Sequence, residues 1–210
     1  EKLAGLDKHV ARINVTGVIT GDKKTLDMIE RIEKSNAVAT LVHINSPGGT
    51  VSGSEALYEA LRKLAAKKPV VAVIDGMAAS GGYVAALAGE RIVSRQTAII
   101  GSVGVLMQYP NMARLLDTVG VKVEEIKSSP LKAAPNGFEP TSPEARAAIQ
   151  KVVDDSYDWF KKLVAERRKL NEAELAAVSD GRVHTARQGL PLKLVDALGD
   201  EGDALDWLST

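Results

Sequence analysis

The chain has 210 residues, 45% hydrophobic and 26% charged, with 27 Lys plus Arg balancing 27 Asp plus Glu. That length suits one α/β domain with a real core, and the neutral balance argues against a general nucleic-acid binder, which needs a basic footprint. The absence of cysteine excludes a thiol nucleophile, a disulfide framework and iron–sulfur ligation.

The predicted elements alternate. Val10 to Ile19 carries β-branched residues and reads as a strand, and Leu26 to Ile32 has helical spacing. Ala37 to Asn45 is a second strand, broken by one polar residue, His43. Ser52 to Ala66 is an amphipathic helix with Ala56, Leu57, Leu61 and Leu64 on one face. Val70 to Ile74 is a third strand and Gly81 to Gly89 an alanine-rich helix. Short strands follow around Arg91 to Val93 and Ile99 to Val105, then a helix over Met112 to Thr118 and a strand over Val121 to Lys127. Ser128 to Thr141 holds Pro130, Pro135, Pro140 and the turn pair Asn136-Gly137, so it reads as a loop.

A long helix starts at Ser142-Pro143-Glu144, with Ser142 as N-cap and Pro143 at the first position, and runs to about Leu170. The cations Lys161, Lys162, Arg167, Arg168 and Lys169 lie toward its end, where they favour the helix dipole. Asn171 caps a short helix, Glu172 to Val178. The remainder from Thr185 is helix, a short strand around Leu194-Val195, and a terminal helix. Alternation of this kind predicts a mainly parallel sheet built from βα repeats with flanking helices, residues 1–210 forming a single domain. Sites in such folds gather at the carboxyl ends of strands.

Two glycine turns occupy that place. Asn45-Ser46-Pro47-Gly48-Gly49 ends the second strand, and Gly76-Met77-Ala78-Ala79-Ser80-Gly81-Gly82 follows the third. One hydroxyl, free backbone N–H groups and no bulky neighbours are parts for acyl transfer through an oxyanion hole. The hydroxyl needs a base. His43 lies on a strand whose register points it away, and His9 and His184 sit in peripheral-looking segments. The three histidines form no pair at helical ligand spacing, so no metal site is expected. Lys132 lies among small and apolar neighbours in Lys127 to Pro135, either as a solvated loop lysine or as a base neutralised by desolvation. Ser102, in Gly101-Ser102-Val103-Gly104-Val105, is a turn serine or an orienting hydroxyl for such an amine.

These segments, taken in order with the later Asp180-Gly181-Arg182-Val183 and Leu194-Val195-Asp196-Ala197-Leu198-Gly199, resemble signal peptide peptidase A in its short bacterial form. That is a serine–lysine protease family of the wider Clp protease and crotonase-like fold. The resemblance implies Ser80 as nucleophile, Lys132 as general base and acid, and Ser102 as hydrogen-bond partner of the lysine amine. It implies an oxyanion hole from the N–H groups of Gly81 and of Gly49 or Gly48, and no cofactor. It further implies a homo-oligomeric ring with sites shared between protomers. The substrates would be remnant signal peptides, cleaved by a membrane-anchored domain on the outer, periplasmic side of the bacterial inner membrane. No apolar run here approaches the length of a membrane span, and the first residue is Glu1 rather than Met, so the anchor is expected to be missing from this chain. A crotonase-like acyl-CoA enzyme and a non-catalytic scaffold share the fold and stand as alternatives. The crotonase reading needs a carboxylate base, for which Asp75 is the candidate beside a glycine turn.

Overall fold

The computed structural model describes residues 8–210. Its first half winds strand, helix, strand: β1 (His9–Ile19), α1 (Lys23–Lys34), β2 (Ala37–Gly49), α2 (Val51–Ala65), β3 (Val70–Ala79), α3 (Gly81–Ala86), β4 (Arg91–Ser94) and β5 (Ile99–Gly101). The second half is mainly helical: α4 (Ala113–Thr118), α5 (Pro143–Arg168), α6 (Glu172–Val178), β6 (Val183–Thr185), α7 (Ala186–Gly189), β7 (Ala197–Leu198) and α8 (Glu201–Leu208). Local chemistry sets the helix starts. The side chains of Asp22 and Thr50 accept the Thr25 and Gly53 N–H groups, and Ser142 accepts that of Ala145. Asn171 and Glu174 form a reciprocal capping box on α6.

Among the described residues the strands form one seven-stranded sheet, in the order β1-β2-β3-β4-β7. The far end of β3 also pairs with β5, and β5 with β6. Every pairing is parallel except β5 with β6. The central strands are buried on both faces, as near-continuous apolar runs require. Alternate residues serve two cores. Val42, Ile44, Val70, Ala72 and Ile74 join Leu57, Leu61, Leu64, Phe160 and Val164 on one face, whereas Leu41, Val71, Val73 and Val93 meet Ala204 of α8 on the other. Arg167, from the basic end of α5, donates to the Leu87 and Gly89 carbonyls at 2.8 and 2.9 Å, so it stabilises the end of α3.

The chain divides into two compact units, Glu1–Gly104 with Trp159–Thr210, and Val105–Asp158. The second holds α4, the Pro-containing loop and the start of α5. It is tied by polar contacts: the Met112 N–H donates to Gly137 O at 2.7 Å, and the Tyr109 and Thr141 hydroxyls lie 2.8 Å apart. Gly137, at φ 81°, must be glycine, because a side chain there would collide with the Pro110 carbonyl. Helix α4 buries none of its residues.

Several boundaries differ from expectation. Val121 to Lys127 is not a strand, because no neighbouring strand among the described residues completes a ladder with it. The short strand expected at Leu194-Val195 forms instead at Ala197–Leu198, where β4 offers a free edge. Strands β2 and β3 run on through their glycine turns, since each gives the other a partner: Ser46 pairs with Ala78. Strand β6, three residues long, carries too little pattern to be read in advance.

Candidate active site

Ser80 stands where β3 gives way to α3, at φ 51° and ψ −120°. A non-glycine residue in that region costs on the order of 1–3 kcal/mol and persists only when its surroundings hold it. Here they do. The Ser80 N–H donates to Gly101 O at 2.8 Å, and the Tyr83 and Val84 N–H groups donate to Ser80 O at 2.9 and 3.0 Å. Because the carbonyl takes those N–H groups, the hydroxyl makes no capping bond. Three residues on, the fully buried Tyr83 donates its phenol to Leu194 O at 2.8 Å. Burial pushes that phenol well above its ordinary pKa, so it stays a donor.

The second glycine turn lies against the first. A side chain at Gly48, whose φ is 104°, would come within 2.7 Å of the Gly81 N and 2.9 Å of the Ser80 Cβ. One at Gly81 would collide with Ser54 Oγ, and one at Gly82 would sit 2.6 Å from the Ser46 carbonyl. Glycine at these positions is therefore a matter of close backbone approach. The two candidate donors on β2 differ. The Gly48 N–H already donates to Ser46 Oγ at 3.0 Å. Thr50 gives its N–H to Ile19 O of β1, so the preceding amide, Gly49's, turns away from β1. Its nitrogen lies 3.2 Å from where a Gly81 Cβ would be. The Gly49 nitrogen thus lies beside Gly81.

Ser102 sits at φ 52° immediately after the residue that accepts the Ser80 N–H. Its own N–H donates to Arg182 O at 2.9 Å, through the β5–β6 edge. That edge brings in His184, which pairs with Ile100. Its sequence neighbourhood looks peripheral, yet it stands two strands from Ser80. Its Nε2 is buried without a hydrogen-bond partner among the described residues, and burial, then Arg182, hold the imidazole below its ordinary pKa.

Lys132 belongs to the second unit and is exposed, so its segment alone does not supply the dry setting expected for a lysine base. The small neighbours Ala133 and Ala134 are too short to cover its ammonium. Its backbone N–H donates to Ser129 O at 3.0 Å in a turn. The nearby carboxylates are engaged elsewhere: Lys127 contacts Glu125 at 2.5 Å and Glu139 at 2.7 Å, which raises the Lys127 pKa. Of these two lysines, Lys127 is held charged by paired carboxylates, whereas Lys132 has no side-chain partner among the described residues.

The other candidate bases fall away. His43 pairs in register with Val73, seven residues before Ser80 and on the far side of the irregularity that precedes Ala78. Its Nδ1 lies 2.9 Å from Asp75 Oδ2, and its Nε2 faces Glu201 at 3.1 Å without hydrogen-bond geometry. Asp75, the carboxylate a crotonase-type reading would need, is thereby engaged in a hydrogen bond with His43. His9 lies at the amino end of β1, away from the strand ends that carry the glycine turns. One polar residue of the site has no obvious signal in the sequence: Ser46, fully buried, donates its hydroxyl to Gly17 O at 2.6 Å. The hint available was a serine two residues before a glycine, a spacing at which hydroxyls accept backbone N–H groups.

Residues 62–210 match peptidase family S49. A Synechocystis protein named as a candidate protease is 40% identical over 205 residues, covering 97% of this chain and 74% of that one. An Enterococcus faecium protein named as a candidate signal peptide peptidase A is 30% identical over 219 residues, covering 96% of this chain and 63% of that relative. The chain therefore spans just under two thirds of the second relative's length. Among solved structures, a ClpP1 variant from Listeria monocytogenes superposes with a TM-score of 0.63 at 16% identity, covering 92% of this chain and 94% of that one. The chain belongs to peptidase family S49, a serine peptidase on the Clp protease fold.

Proposed function

We propose that residues 1–210 act as one protease domain, a serine endopeptidase in which Ser80 attacks the peptide carbonyl and Lys132 takes and returns the proton. The observation that carries this reading is the Ser80 turn: a strained serine with an uncommitted hydroxyl, flanked by the Gly49 and Gly81 amides. In the first step the Ser80 oxygen bonds to the carbonyl carbon and its proton passes to a neutral Lys132 amine. The oxyanion that forms is held by the Gly49 and Gly81 N–H groups, a kind of contact whose loss costs about two to three orders of magnitude in rate. Lysine then protonates the leaving amine, and water resolves the acyl-enzyme. Ser102 orients the amine.

Lys132 is exposed in a single chain, so its desolvation is assigned to a neighbouring copy in a homo-oligomeric ring, with serine and lysine drawn from adjacent protomers. Support comes from the second unit, which exposes Leu106, Leu115, Val119 and Ile126. Substrates bind extended beside β2 and carry small or apolar residues before the cut, as remnant signal peptides do. A hollow of ≈ 70 Å³ beside Ile19, lined by Val15, Val18, Leu26 and Leu57 together with Asn14, Asp22 and Thr25, has room for a small side chain. On this reading the work is done at the bacterial inner membrane, on its outer face, where remnant signal peptides would be met; no described helix is long and apolar enough to cross a membrane.

The test is fluorophosphonate labelling with peptide turnover. Label should map to Ser80, and Ser80→Ala and Lys132→Ala should each abolish cleavage with the fold intact. Activity surviving in Lys132→Ala removes the dyad, and equal cleavage of charged and apolar peptides removes the substrate class.

A further inference from the structure

Both ladders beside the end of β2 shift register next to Ser46, the β3 ladder just before it and the β1 ladder across it. Against β1 the pairing jumps from Thr16–Asn45 to Val18–Gly48, and against β3 from Ile44–Ile74 to Ser46–Ala78. A strand that slips on both sides leaves backbone groups without ladder partners, and buried groups of that kind are costly. Gly17, at φ 74°, is the residue skipped in β1. Ser46, with no exposed surface, fills the gap. Its hydroxyl donates to the Gly17 carbonyl at 2.6 Å and accepts the Gly48 N–H at 3.0 Å. One side chain satisfies an acceptor on β1 and a donor on β2 at once.

The consequence reaches the oxyanion hole. Gly48, at φ 104°, joins two rigid peptide planes. The first carries its own N–H, and the second carries the Gly49 N–H. Glycine leaves the rotation between them free unless something anchors it. The Ser46 hydroxyl anchors the first plane, and the Thr50 bond to Ile19 O anchors the chain just beyond the second. We propose that Ser46 is a positioning residue that selects Gly49, rather than Gly48, as the second oxyanion donor. It does so by tying the Gly48 N–H back into the strand and aiming the Gly49 N–H at the Gly81 side. It touches no reacting atom. This role rests on the serine-peptidase reading above.

The experiment compares the full-length assembled protein with Ser46→Ala on a fluorogenic peptide and a peptide aldehyde, whose hemiacetal oxygen occupies the hole. Ser46→Ala should lower kcat about 10- to 100-fold, less than complete loss of a donor, and weaken the aldehyde by a similar factor. KM should stay within about twofold, because ground-state binding does not use the hole. Unchanged kcat and aldehyde affinity overturn the proposal, as does a loss confined to KM. Ser46→Cys keeps the volume with a weaker donor and should lie between the two. If Ser46→Ala fails to fold, the cysteine variant must show the same kcat-only loss, and its absence overturns the proposal. Failure of the unmodified protein to be acylated at Ser80 is a separate result, which removes the peptidase mechanism and this role together.

Discussion

In the unit that carries Ser80, Ile74, Leu61, Tyr83 and Ile100 have no exposed surface, and three backbone bonds hold the Ser80 turn. In the unit that carries Lys132 the picture is reversed: Ile126 is fully exposed, and Leu106, Val119 and Leu115 are 78%, 61% and 59% exposed. At about 25 cal/mol per Å² of apolar surface, several such side chains form a standing incentive for association. The first unit completes its core within the chain. The second is held by hydrogen bonds and ion pairs and keeps its apolar side chains outward. On the proposed mechanism, the strained nucleophile has a finished core behind it, whereas the base gains its dry setting from a partner surface.

The largest test of that contrast mixes two inactive variants. Assemblies formed from Ser80→Ala and Lys132→Ala chains should regain about a quarter of wild-type turnover if each site pairs a serine with a neighbour's lysine in a head-to-tail ring. No recovery would mean that both groups come from one chain. Next, Leu115→Glu with Ile126→Glu should shift sedimentation toward the monomer and reduce turnover about tenfold or more at low protein concentration. The chain's own stability should change by less than about 0.5 kcal/mol, since neither side chain is buried. A drop in melting temperature with unchanged assembly would assign these residues to the fold instead.

Two smaller effects probe the first unit. Tyr83→Phe removes the donor to Leu194 O in a fully buried site and should cost about 1–2 kcal/mol in urea unfolding. Smallest is a pH effect at His184, whose imidazole burial keeps below its ordinary pKa. Above about pH 6.5 it is neutral folded or unfolded and adds no pH dependence. Below that the unfolded chain takes up a proton that the fold resists, so stability declines until the depressed folded value is passed. Urea midpoints at neutral and mildly acidic pH should show this decline, and His184→Gln should lessen it. An equal decline in the variant would place the acid sensitivity elsewhere.

Much of this was legible in the chain itself. The glycines at 48, 81 and 82 announce close backbone approach, because no other residue leaves that space. The apolar runs from Val70 and Ala37 predict central parallel strands, and Ser142 and Asn171 mark helix starts through local hydrogen bonds. These signals are short-ranged, so residues adjacent in sequence suffice to carry them. Tertiary packing decided the rest. Strands β2 and β3 extend because each supplies the other's ladder, β6 exists because β5 has an open edge, and His184 comes within two strands of Ser80 through that pairing. Val121 to Lys127 has strand composition but no strand partner among the described residues, so it stays irregular. Whether Gly48 or Gly49 faces Gly81 was open in the sequence, because it depends on a Ser46 bond to a carbonyl in another strand. Composition and local pattern determine which elements form; hydrogen bonds and burial between distant segments determine where they end and which backbone groups lie beside the Ser80 turn.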